Sequence, residues 1–394
     1  MASETDDARP DPACLPSGSA LVPQHRSWAD VSLANLQHNV RLAQSLMGPG
    51  VAVAAVVKAN AYGHGAVPVA RAAVDAGATA LVVANADEGV ELRQAGIAAP
   101  VIIIGASFAW EAEAIVAHDL AACVSPPSML EVLAAEACRQ QRRVRVHVMA
   151  DLGMQRAGVT PDDARALFRR LADCEWVELE GIATHFANAD APDPACAREQ
   201  TAAFARVVAD ARAAGLEPRL CHLANSAAIL RLPESHHTLV RAGILLYGMA
   251  CDPSLDGAAD WRPVLAWRTR VACLRPLAAG TPVGYGHTYA SARDTVLATL
   301  PVGYHDGYLR AHSNQAEVVL RGQRAPVVGR VSMDYTTVDV GHIPGVALGD
   351  VATLIGRDGE ACVRAEELAA LRDTIPYEIT CAIGSRVRRI YHTT

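Results

Sequence analysis

VAVAAVVKANAYGHG, residues 51–65, begins as an unbroken run of small and β-branched apolar residues and then stops on a charged amine, Lys58. A run that is apolar at every position reads as a strand covered on both faces, the signature of a parallel sheet. Seven more short apolar runs follow: ALVVA (80–84), VIIIG (101–105), AACVS (121–125), VRVHVMA (144–150), LEGIATHF (179–186), RLCHLAN (219–225) and HTLVRAG (237–243). Between them lie stretches of helical period such as AVPVARAAVDAG and TPDDARALFRRLAD, several with Ser, Thr or Asp at the start and Gly at the end. Eight strand–helix units in about 200 residues fit an α/β fold with an N-terminal (β/α)8 TIM barrel better than an open doubly wound sheet.

Near residue 260 the pattern changes to β-rich segments with Gly turns, among them TPVGYGHTYA, TVLATLPVG and DVATLIG. The expected division is an acidic, Pro/Ser-rich disordered tail (1–27), a barrel (28–258) and a mostly β C-terminal domain (259–394). The 394 residues carry a formal charge of −7, which argues against a nucleic-acid partner. Arg142, Arg143 and Arg145 cluster, but they read as a solvated edge. No apolar run approaches the ~18 residues needed to span a bilayer, and the tail has no basic or apolar signal core. The expectation is a cytoplasmic protein with no membrane partner. Ten cysteines are scattered without a C-x-x-C pair, so most are expected to be buried small hydrophobes, with neither a disulfide framework nor a zinc site. His236 and His237 adjoin without a third ligand at metal spacing, and no metal site is expected.

In a barrel, the loops after the strands build the site. Lys58 ends the first run, Asp151 and Arg156 follow the fifth, and His185 ends the sixth. Asn225 and Ser226 follow the seventh, and Arg241 with Gly243 closes the eighth. All fall at one end of the expected barrel. The last two loops, ANSAAIL and RAGILLYG, offer a hydroxyl at a helix start and a glycine that lets the backbone approach an anion. An amine facing a phosphate site suggests pyridoxal 5'-phosphate, which is carried on lysine and held by its phosphate.

AVVKANAYGHG, DLGMQRAGV, GIATHFANAD, HLANSAAIL, VRAGILLYG, VGYGHTY, PVGYHDGYLR, VGRVSMD, YEI and RVRRIY occur in the order and spacing of bacterial alanine racemases. The resemblance runs from about Trp28 to the C-terminus. It implies a barrel followed by a β domain, a small amino-acid substrate and a homodimer with shared active sites. It implies that Lys58 carries the cofactor and moves a proton on one face of the substrate carbon. Tyr285, from the other subunit, would act on the opposite face, its phenol tuned through His185 and Arg241, and Arg241 would face the pyridine nitrogen. Tyr62, Ser226, Gly243, Ile244 and Tyr377 match the phosphate holders, with Asn225 and His222 in support. Arg156 and the Met333 amide match the groups that receive the substrate carboxylate. Tyr304, Tyr377, Asp190, Arg310 and Arg330 match residues that narrow the entrance, which favours a side chain as small as methyl.

One departure stands out. Where that family often has a carbamylated lysine beside the arginine of DxGMxR, this chain has Met149, and Leu152 replaces the usual Thr. Arg156 is therefore expected to take an inorganic anion or another carboxylate, or the specificity is expected to extend to amino acids such as serine.

Overall fold

The computed structural model describes residues 24–250 and 260–393. The predicted disordered tail lies outside these residues up to position 23. All eight expected barrel strands form. They are β2 (Ala52–Val56), β3 (Ala80–Val83), β4 (Val101–Ile103), β5 (Ala121–Val124), β6 (Val144–Met149), β7 (Val177–Ala183), β8 (Leu220–His222) and β9 (Leu239–Ala242). They pair in parallel in the order β8-β7-β6-β5-β4-β3-β2-β9. The two end strands then meet where Thr238 N–H donates to Cys221 O (3.2 Å) and Arg241 N–H to Ala224 O (2.9 Å). With no free edge, every strand is covered inside and out, which is why β3, β4 and β5 are buried at every residue.

The helices between the strands start where the sequence supplies a side-chain acceptor. Asn85 accepts from Glu88 N–H ahead of Ala86–Gln94, and Thr160 from Asp163 N–H ahead of Pro161–Ala172, where proline occupies a position that needs no donor. Among the described residues, no helix is long and apolar enough to cross a membrane.

The C-terminal domain is built on a seven-stranded sheet and a smaller three-stranded one. The large sheet corrects the expected boundary at residue 28. Strand β1 (Ser27–Ser32) pairs antiparallel with β10 (Leu265–Arg270), Trp28 opposite Arg268, and parallel with the last strand, Arg388–His392, Trp28 opposite Arg388. It therefore belongs to the C-terminal domain's sheet although it precedes the barrel. Trp28 and Trp267 are fully buried there, and the Trp267 indole N–H donates to Ser27 Oγ (2.8 Å). SWADVS has no long apolar run, and its partners lie more than 230 positions away, so local pattern does not reveal the pairing.

The cysteine expectation is also overturned. Of the eight described, only Cys123 and Cys221 are buried, while Cys138, Cys196, Cys273 and Cys381 are exposed.

Because β1 sits between β10 and the final strand, residues 260–394 expressed alone lack an inner strand of their sheet. They should show no cooperative thermal unfolding by circular dichroism, and fusing residues 24–32 to them should restore a transition. A cooperative transition without those residues would contradict this sheet order.

Candidate active site

A cavity of ≈370 Å³ opens at the C-terminal end of the barrel strands. Lys58, Tyr62, Arg156, His185, Asn225, Ser226, Arg241, Gly243 and Tyr377 all line it. Its remaining wall is largely apolar, with Val56, Val82, Ile104, Met149 and Met154.

Lys58 is delivered by an unusual turn. Ala59, Asn60, Ala61 and Tyr62 all have φ of 52–53°, a run of left-handed conformations in residues that carry a Cβ. Each such residue costs roughly 1–2 kcal/mol, so the turn must be held from outside. Glu88 accepts from Ala59 N–H (2.7 Å) and, through its other oxygen, from Ala84 N–H (2.8 Å). Asn60 Oδ1 accepts from Ala66 N–H (2.8 Å), and Arg389 Nε donates to Gly63 O (3.0 Å). Gly63, at φ 82°, lies so close to the C-terminal segment that a Cβ would stand 2.1 Å from Thr380 O.

Burial holds the Lys58 amine below its ordinary pKa, helped by the nearby guanidiniums of Arg156 and Arg241 and opposed by Glu88. That makes it a better base near neutrality. Burial likewise pushes His185 down to about 3, again with Arg241, Arg156 and Lys58 adding repulsion, so its ring is neutral.

Arg241, 3% exposed, spends both terminal nitrogens on protein acceptors. They donate to His222 Nδ1 (2.9 Å) and His222 O (2.9 Å), to Thr184 O (2.9 Å) and Leu223 O (3.3 Å), and to His185 Nδ1 (3.0 Å). Its Nε–H has no hydrogen-bond partner among the described residues, and Arg241 lines the cavity. His222, expected only to support the loop, is thus bonded directly to Arg241.

The last two loops form an anion cradle. Ser226 Oγ accepts from Gly243 N–H (3.0 Å), and a Cβ on Gly243 would lie 3.0 Å from the Tyr62 hydroxyl. A side chain there would crowd the Tyr62 hydroxyl. Asn225 caps the short helix Ser226–Arg231 through Ala228 N–H (3.1 Å), and Ile244 is buried at the start of the following turn. Tyr62 lies against Tyr247 (centroids 4.9 Å apart) and Tyr377 (5.5 Å). Thr184, whose buried Oγ1 has no partner among the described residues, lines the same cavity. Two guanidiniums, an amine, an open cradle and an orphaned hydroxyl suit an anionic, polar-edged cofactor such as pyridoxal phosphate.

Arg156 sits in a loop organised by Asp151, which accepts from Gly153, Gln155 and Arg156 N–H (3.0–3.1 Å). Its guanidinium meets no carboxylate among the described residues, and Met149, which lines the same cavity, is buried. Tyr285, Tyr304 and Met333 lie elsewhere, on the C-terminal domain, 73%, 41% and 52% exposed, and none lines this chain's own cavity. The loops that carry them adjoin. Tyr304 N–H donates to Ser332 O (3.0 Å) and His305 N–H to Met333 O (3.1 Å), while Gly284, before Tyr285, packs near Arg330. Buried Asp306 fixes the loop of Tyr304, accepting from Gly303 N–H (2.9 Å) and pairing twice with Arg386 (2.6 and 2.9 Å). Asp190 and Arg310 are exposed. Sequence reasoning missed His147, Glu180 and Thr184. The signal for the first two was present, a His and a Glu set inside otherwise apolar strand runs.

Profiles of the alanine racemase N-terminal and C-terminal domains match residues 31–251 and 264–391. The chain belongs to the alanine racemase family. An alanine racemase of Desulfovibrio desulfuricans is 43% identical over 364 residues, covering 92% of this chain and 97% of that relative. The solved alanine racemase of Streptomyces lavendulae superposes with a TM-score of 0.90 at 36% identity, over 95% of this chain and 98% of that one. That of Bartonella henselae, described with covalently bound pyridoxal phosphate, gives 0.83 at 28% identity, over 93% and 99%. The barrel and β domain expected from the sequence are therefore the architecture of alanine racemases.

His64, fully buried beneath Tyr247, has its pKa lowered by burial to about 4. Between that value and the ordinary 6.5 the unfolded chain takes up a proton that the folded chain refuses, so stability falls as pH falls through this window. Urea unfolding at pH 5 should show about 2 kcal/mol less stability from this group than at pH 7.5, and His64→Gln should flatten the slope. An unchanged slope in the variant would remove His64 from the account.

Proposed function

We propose that this chain interconverts L- and D-alanine with pyridoxal phosphate, as a cytoplasmic homodimer whose active sites are shared between subunits. The observation that carries the reading is a lysine of lowered basicity facing a donor-only guanidinium and an anion cradle in one cavity, in a chain of this family. When bound, the cofactor supplies an electron sink that acidifies the substrate Cα–H. Lys58 would hold it covalently, and Tyr62, Ser226, Tyr377 and the backbone of Gly243 and Ile244 would receive its phosphate, with Asn225 keeping that loop in place. Arg241 would offer Nε–H to the ring nitrogen. A guanidinium cannot accept a proton and only donates, so Arg241 would hold a bound cofactor's ring nitrogen without protonating it and would temper the electron sink, which would favour inversion over side reactions.

Inversion needs a proton removed on one face and returned on the other. Lys58 takes one face. Tyr285 takes the other, contributed by a second copy of the chain, because on its own subunit it is exposed and away from the cavity. Met333 and Tyr304 lie on loops that adjoin its own. They would arrive with it, the Met333 amide joining Arg156 on the substrate carboxylate and Tyr304 narrowing the entrance to fit a methyl side chain. A broader specificity that includes serine is the second reading, favoured by Met149 and by the absence of a carboxylate partner for Arg156 among the described residues.

The wild-type protein should form D-alanine from L-alanine, with serine run alongside. Lys58→Ala should lose both the cofactor's visible absorbance and turnover. Tyr285→Phe should keep the absorbance and lose on the order of 10²-fold or more in kcat. Mixing the two inactive variants should recover activity, since a hybrid dimer holds one complete site. Random reassortment gives about a quarter of wild-type turnover. No recovery after verified subunit exchange would defeat the shared-site arrangement.

A further inference from the structure

Behind Arg241 the barrel interior holds a row of polar side chains, His222, His147 and Glu180, to which the proposed reaction assigns no step. It starts at Arg241, a buried cation that touches no carboxylate among the described residues. Its donors meet His222 Nδ1 at 2.9 Å. The other ring nitrogen of His222, Nε2, lies 2.8 Å from Nδ1 of His147, and Nε2 of His147 lies 3.1 Å from Oε2 of Glu180. His147 and His222 are fully buried and the Glu180 side chain is 2% exposed. The row ends at the strands' opposite end, where Arg145 (3.2 Å) and Arg219 (2.5 Å) donate to the other oxygen of Glu180, and Arg145 also pairs with Asp119 (3.0 Å).

Chemistry fixes every proton in this row. A guanidinium only donates, so Nδ1 of His222 must be bare and its proton must sit on Nε2. That proton points at Nδ1 of His147, which must be bare in turn, leaving His147 Nε2–H to donate to Glu180. An ionised carboxylate only accepts. One end that can only donate and one that can only accept leave a single proton order between them. A buried cation also requires a counter-charge. The carboxylate joined to Arg241 by this row is Glu180, two neutral imidazoles away.

We propose that Glu180 is a positioning residue for the reaction. From the far end of the barrel it sets the tautomers of His147 and His222 and supplies the remote counter-charge that seats Arg241. The inference rests on the reading of Arg241 as the group that faces the cofactor ring. With the proton order reversed, His222 would present an N–H to the guanidinium and push it towards the cavity. Arg145, expected from the sequence to be a solvated edge, is instead part of the clamp that keeps Glu180 ionised.

The test uses cofactor-loaded protein labelled with ¹⁵N at histidine, read by long-range ¹H–¹⁵N correlation. His147 and His222 should both appear as neutral Nε2–H tautomers, unchanged from about pH 6 to about pH 8. Glu180→Leu removes the acceptor. It should mix the tautomers at both rings and lower kcat about 10-fold or more, with KM changed less. Glu180→Gln keeps an acceptor oxygen without the charge, and should keep the tautomers while lowering kcat by about 3-fold. A wild-type spectrum with an Nδ1–H or cationic ring at either position overturns the proposal, and this reading needs no variant to fold. A folded, loaded Glu180→Leu protein with unchanged tautomers and kcat overturns it too, and an unchanged kcat in Glu180→Gln overturns the counter-charge. If the stated tautomers are found in a protein that does not racemise alanine, the proton order is upheld and the racemase reading fails.

Discussion

The left-handed turn at Ala59–Tyr62 is the constraint on which the rest of the site depends. Four successive residues with side chains occupy a conformation that L-amino acids avoid. No local preference produces it, and the turn exists because it is clamped. Glu88 holds it from the neighbouring barrel helix, and Arg389 and the Thr380 backbone hold it from the C-terminal domain. Arg389 also donates to Ile383, Gly384 and Val387 carbonyls, so one guanidinium ties the lysine turn to the segment that carries Tyr377. The two domains are in this sense one device. The barrel brings the amine to the cavity, and the β domain prevents the turn beneath it from relaxing.

A second constraint is electrostatic. Lys58, Arg156 and Arg241 converge on the cavity, and His185 stays neutral among them. Such a collection favours anions and disfavours further protonation. Its cost is offset in two ways. Arg241 is surrounded by carbonyl oxygens, which solvate the cation without neutralising it. Glu180 closes the row behind it, where burial alone would raise the carboxyl's pKa but His147, Arg145 and Arg219 bring it down to about 2. A protein interior does not carry a charge of one sign without such an arrangement.

The eight barrel strands were legible because a parallel sheet covered on both faces must be apolar at every position, and few other structures need that. The residues at the mouth were legible for a related reason, since a polar group that ends such a run has one place to go. Glu180 and His147 were visible as exceptions within those runs, but a single strand gives no hint of which polar groups meet across a barrel. Strand β1 stayed hidden because SWADVS is short and mixed and finds both partners at the far end of the chain. Exposed cysteines such as Cys381 likewise follow from placement, since a thiol's affinity for the interior is too weak to dictate it.

The sequence by itself determined the barrel, the β domain behind it and the set of groups at the mouth, because burial pattern and strand order are properties of neighbouring residues. Only the tertiary structure decided that the N-terminal strand completes the C-terminal sheet, that Lys58 rides on a left-handed turn held by Arg389, and that Arg241 is joined to Glu180 through two histidines. Tyr285 belongs with these, since the folded chain places it on an exposed face away from its own cavity. The physical reason is common to all of them. Each depends on which side chains meet after distant segments pack, and hydrogen bonds and charges between such segments leave no period in the chain.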